Sequence, residues 1–136
     1  MTKKELQALY VEALKKVNDF REVEINEQDD ICIKCGEMDF YMHVYDDEPG
    51  LIKLHYGTQR RFKDDAEMLK SYRTINKINS TSKIVKLFMA DEELGVIVFS
   101  AFIIAKTEKE FLQFTIRELH EIFDAIEFYL EEMERE

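Results

Sequence analysis

Cys32 and Cys35 stand in a Cys-Ile-Lys-Cys run, the spacing at which two thiols can share a metal ion or act as a redox pair. Their context opposes both uses. A thioredoxin-type pair needs its first thiol at a helix N-terminus, where the helix dipole lowers the thiol pKa. Here the surrounding residues are β-rich and Gly36 follows. On a strand, a separation of three turns the side chains to opposite faces. Structural zinc asks for four ligands, and the sequence holds two cysteines in all. His43 and His55, on neighbouring expected strands, would complete a set only if Cys35 turned back. Two structural thiols in a reducing compartment are the expectation, and no metal or other cofactor is expected. A metal- or redox-responsive regulator using Cys32 and Cys35 is the alternative function.

His43, His55 and His120 have no nucleophile elbow near them, and nothing resembles GxSxG, HExxH or a glycine loop that would cradle phosphate. Asp46-Asp47 and Asp64-Asp65 suit a turn and a helix start, where carboxylates complement free backbone amides. No reaction follows, so the chain is not expected to be an enzyme and no catalytic residue is assigned. A site built on the outer sheet face with Arg60 or Arg61 has no sequence pattern behind it.

Charge is more informative. The 136 residues carry a formal net charge of -10. Residues 51–90 nevertheless hold nine basic and three acidic side chains, a surplus of six positive charges, which leaves the rest of the chain at minus sixteen. Arg60, Arg61, Lys63, Lys70, Arg73 and Lys77 form the candidate basic patch. Such segregation suits either an acidic partner or complementary faces in a self-associating dimer. Tyr56 and Phe62 interleave with Arg60, Arg61 and Lys63 in the manner of a single-strand platform. The overall acidity would repel phosphates, so no nucleic-acid partner is expected.

Three amphipathic helices and five strands must position these residues. Each helix opens on a capping residue with Glu three places on: Thr2 with Glu5, Asp64 with Glu67, and Thr107 with Glu110. The first presents an apolar stripe of Leu6, Leu9, Tyr10, Ala13, Leu14 and Val17. The second runs from 65 to 77 or 79, with Met68, Leu69, Tyr72, Ile75 and Ile78 inward. The third, over 108–132, carries a stripe from Phe111 through Ile116, Leu119, Ile122, Ile126 and Leu130 to Met133. Its acidic end opposes the helix dipole and is expected to fray.

The strand runs are 31–35, 38–45, 51–56, 83–90 and 94–105. Turns at 35–37, 46–50 and 91–93 are too short for parallel crossovers, so the sheet should be antiparallel. Phe40, Met42 and Val44 share one face of the second strand; Tyr41, His43 and Tyr45 share the other. These three, with Phe114, Phe128 and Tyr129 off the centre of the last helix, are the candidate partner-contact residues. The apolar run 96–105 is about half of the roughly 20 residues a membrane helix needs, so it reads as a buried strand and no membrane partner is expected. The N-terminus, MTKKELQALY, has no signal-peptide pattern, and a cytoplasmic location is expected. One domain over 1–136, of α+β class, fits this length and order.

The order of elements, with Asn76-Lys77-Ile78-Asn79 closing the middle helix, a strand opening at Lys83, the acidic turn Asp91-Glu92-Glu93 and the apolar strand leading into a long final helix, resembles the YbjN-like group. Those domains are built like the chaperones of type III secretion systems. The resemblance implies an α-β-β-β-α-β-β-α domain with a five-stranded antiparallel sheet. It also implies a homodimer that binds another protein or peptide and has no catalytic residues to transfer. Ser80-Thr81-Ser82 stands where relatives often carry an aromatic residue, and the chain has no Trp.

Overall fold

The computed structural model describes residues 1–48 and 50–135, so Pro49 of the expected 46–50 turn lies outside the described residues. The elements are α1 (Lys3–Leu14), β1 (Glu22–Ile25), β2 (Ile31–Cys35), β3 (Met38–Val44), β4 (Leu51–Gln59), α2 (Asp65–Thr81), β5 (Lys86–Asp91), β6 (Val96–Ile104) and α3 (Glu108–Glu134). They form three helices and one six-stranded sheet of order β1-β2-β3-β4-β6-β5. The α+β class and the antiparallel hairpins match the sequence reading, whereas the count of five strands does not. The added strand is β1, whose Glu-Val-Glu-Ile sequence buries Val23 alone. Two carboxylates in four residues hide its apolar signal, and pairing with β2 from Glu22 opposite Lys34 to Ile25 opposite Ile31 creates it.

The helix starts follow the sequence. Thr2 Oγ1 accepts from the Glu5 amide at 3.2 Å and Asp64 Oδ1 from the Glu67 amide at 2.9 Å. At α3 Thr107 Oγ1 accepts from the Glu110 amide, and Glu110 Oε1 reaches back past the cap to accept from the Lys106 amide, both at 3.1 Å.

The chain gathers into two compact units, each drawing on parts of β4, β6 and α3. In the first, residues 1–55 with 102–117, α1 packs on β1 and β3. Tyr10 stacks on Phe111 with ring centroids 4.2 Å apart. Ile31, Ile33, Phe40, Met42, Ile52 and Leu54 are fully buried, so the alternation expected for the second strand run is met. Leu9, expected inward, is exposed; Gln7 takes its place, donating from Nε2 to the Asp29 carbonyl at 2.8 Å.

In the second unit, residues 56–101 with 118–136, α2 packs on β5. Its inward face is rotated from the expected one: Ser71, Thr74, Ile75 and Ile78 are buried, while Leu69 and Tyr72 are exposed. The small hydroxyl residues permit this because their polar atoms are satisfied. Ser71 Oγ lies 2.7 Å from the Tyr129 hydroxyl, and Thr74 Oγ1 donates to the Lys70 carbonyl at 2.8 Å. On α3, Ile116 and Leu130, also expected inward, are exposed. The end of α3 is held rather than frayed, because Lys70 Nζ donates to the Met133 carbonyl at 3.1 Å and also to that of Arg135.

Candidate functional site

The outer face of the first unit's sheet is read from its register. Glu24 stands opposite Cys32, Cys32 opposite Tyr41, and Tyr41 opposite His55, one rung crossing β1, β2, β3 and β4. Tyr41 and His55 stack with centroids 5.6 Å apart. One rung along, His43 faces Lys53 on β4, and its Nδ1 hydrogen-bonds Asp30 Oδ1 at 2.8 Å. The His43 ring also meets Tyr45 edge-on at 4.7 Å. On the other side Lys34 faces Asp39, with 4.0 Å between Nζ and Oδ1. The Asn26 side chain shapes the turn before β2 by accepting from the Gln28 and Asp30 amides. That turn and the rung enclose a cleft of about 490 Å³ lined by Glu24, Glu27, Asp30, Cys32, Tyr41 and His55 among others.

Burial sets the electrostatics here. The Cys32 thiol is pushed above its ordinary pKa by burial first and then by Asp39, so it is a poor nucleophile. Burial likewise raises the Cys35 thiol and the Tyr41 phenol. His55 is held below its ordinary value, chiefly by burial. Cys32 shares its rung with Tyr41, whereas Cys35, opposite Met38, falls on the other face of β2. The two thiols therefore cannot meet around one ion or in one disulfide while β2 stays paired. Among the described residues no group of three or more His, Cys, Asp or Glu side chains is arranged to hold a metal.

The same face continues onto β6. The Ala105 amide donates to the Gly50 carbonyl at 3.0 Å, and counting from that bond sets Leu51 opposite Ile104 and Lys53 opposite Phe102. Phe102 is 57 % exposed and Ile104 67 %. The sequence reading placed both inside a buried strand. The run 96–105 is apolar on both faces, so its periodicity carries no sign of which face is open; only Ser100 interrupts it.

Tyr41, His43 and Tyr45 are thus gathered on one half-buried surface. The last-helix candidates part company. Tyr129 is a correction: it is buried, packs edge-on against Phe99 at 5.9 Å and bonds Ser71, so it is a core residue. Phe114 and Phe128 are half-buried, the first under the Arg117 guanidinium at 4.9 Å and the second under the Lys77 ammonium at 5.3 Å. Of the basic patch, Lys70 closes the end of α3 and Lys77 approaches Glu132 at 3.8 Å. Arg60, Arg61 and Lys63 lie exposed in the segment between β4 and α2, and Arg73 is exposed on α2. Among the described residues no helix is long and apolar enough to cross a membrane.

Three helices on a six-stranded antiparallel sheet in this order define an α+β protein of the YbjN-like fold. The crystal structure of YbjN from E. coli, a proposed transcription regulator, matches this chain with a TM-score of 0.65 over 90% of this chain and 87% of that one. Sequence identity is 17%, so the likeness is one of fold. No family model matches the sequence. No curated protein matches it either.

Proposed function

We propose that the chain is a non-enzymatic protein-binding module, a chaperone-like or regulatory adaptor, that works as a homodimer through the outer face of its sheet. The observation that carries this reading is the exposure of Phe102 and Ile104 at the end of β6, beside the Tyr41, His43 and Tyr45 surface. Two large side chains more than half in water on a regular strand lose hydrophobic free energy until a partner covers them. A second copy supplies an identical surface and satisfies both at once. The description of YbjN as a regulator fits a module whose output is contact rather than chemistry. A net charge of -10 favours regulation through protein over direct binding of nucleic acid. The Cys32 and Cys35 alternative is left without support by their opposite faces.

Light scattering across a dilution series tests the reading. The parent protein is expected at twice the chain mass, and a Phe102→Ser, Ile104→Ser double variant at the chain mass with its circular dichroism unchanged. A monomeric parent at all concentrations, or a folded variant that dimerises as tightly as the parent, would overturn it.

A further inference from the structure

We propose that the cleft over the Glu24–Cys32–Tyr41–His55 rung receives an arginine side chain of a bound polypeptide. This rests on the protein-binding reading and names the chemistry of that partner. The cleft's floor is an aromatic pair, Tyr41 stacked on His55, and a guanidinium, planar and permanently charged, lies flat on such a surface. Beside the pair the floor continues as Cys32, which is 6 % exposed. A buried thiol of raised pKa adds no charge to this floor.

The walls supply the opposite charge. Glu24, Glu27, Asp30 and Asp39 line the cleft against Lys34 alone. Lys34 is taken by Asp39 and Asp30 hydrogen-bonds the His43 ring, while Glu24 and Glu27 stand exposed at the rim where an incoming cation meets them first. A neutral, partly buried His55 leaves the floor without a competing positive charge. Rim carboxylates offer acceptors to the edge of a guanidinium and the flat ring beneath offers a surface to its face. Lysine, a strongly hydrated point charge, gains less from the ring.

The test is a titration of the full chain with N-acetyl-Gly-Arg-Gly-amide, followed by amide and ring nuclear magnetic resonance shifts. The citrulline peptide, of equal shape and no charge, and the lysine peptide serve as comparisons. Saturable shifts centred on Glu24, Cys32, Tyr41 and His55 are expected for arginine. The lysine peptide should bind several-fold more weakly and the citrulline peptide about tenfold or more. Glu24→Gln, at an exposed position that leaves the fold intact, should weaken the arginine peptide about threefold to tenfold. Citrulline binding as well as arginine, shifts spread over the acidic surface of α3 instead of the rung, or a Glu24→Gln protein that binds unchanged would each overturn the proposal. Native mass on the same samples separates the readings: a dimer without arginine binding removes this inference alone, and a monomer with it removes only the dimer.

Discussion

The carboxamide of Asn79, near the end of α2, pairs with both backbone groups of Leu87 on β5: Nδ2 donates to the Leu87 carbonyl at 2.9 Å, and Oδ1 accepts from the Leu87 amide at 2.8 Å. One side chain thereby stands where a further strand would stand. The same junction is pinned by Lys86 Nζ, which donates to the Asn79 and Ser82 carbonyls, and by Ser82 Oγ, which accepts from the Ile84 and Val85 amides. Asn79→Ala leaves a half-buried amide and carbonyl unsatisfied and is expected to cost about 1–3 kcal/mol in urea unfolding. Asn79→Asp keeps the acceptor but loses the donor, and should fall between the parent and the alanine variant. Equal midpoints for parent and alanine variant would show that the pairing contributes nothing.

Buried between α2 and α3, the Ser71 and Tyr129 hydroxyls satisfy each other. Tyr129→Phe strands the serine oxygen and should destabilise by about 1–2 kcal/mol. Ser71→Ala in addition should cost little more, because the polar partner that suffered is gone. Additive losses in the double variant would mean the two hydroxyls do not depend on each other.

Gly95 adopts φ +67, and a Cβ there would overlap the Arg60 carbonyl oxygen, whose own residue donates its amide to the Gly95 carbonyl at 3.0 Å. Backbone atoms cannot swing aside. Gly95→Ala is expected to cost more than about 2 kcal/mol. A Cβ at Gly57, within β4, would meet nothing within 4 Å, so Gly57→Ala should leave the thermal midpoint unchanged or raise it slightly. The contrast between the two alanines is the measurement, and similar midpoints would contradict the close approach at Gly95.

His55 introduces an acid-side weakness. Its folded pKa is lowered, first by burial, with Asp30 opposing and Lys53 and His43 adding to the effect. The unfolded chain therefore binds the proton more readily. The stability associated with neutral His55 is complete above the unfolded value of about 6.5 and is lost as pH falls from there through the folded pKa. Urea midpoints of the parent should drop more between pH 7.5 and 5.5 than those of His55→Gln. Parallel curves would remove His55 as the cause.

Much of this architecture is legible in the residues, and where it is not the cause is physical. The three helix starts are written in Thr2, Asp64 and Thr107 with their glutamates, because capping is a local bond between neighbours. The inward face of β3 is legible because polar and apolar residues alternate along it. The inward face of α2 is not. Hydrophobic periodicity counts Leu69 and Tyr72 and overlooks Ser71 and Thr74, which become core residues only when a distant tyrosine and a backbone carbonyl complete their bonds. Cys32 invites a search for Cys35, yet the residues it joins are Tyr41 and His55, fixed by strand pairing rather than by sequence separation. The open side of β6 is hidden because Phe102 and Ile104 are as apolar as the residues between them.

The clasp of Asn79 on Leu87 bears on symmetry. The two outermost strands, β1 and β5, are different sequences, so pairing one molecule's β1 with another's β5 would repeat without limit and build a filament. β5 is shut by a carboxamide, and β1 is four residues long with Glu22 and Glu24 exposed on it. Edge-to-edge growth is thereby opposed at both margins of the sheet.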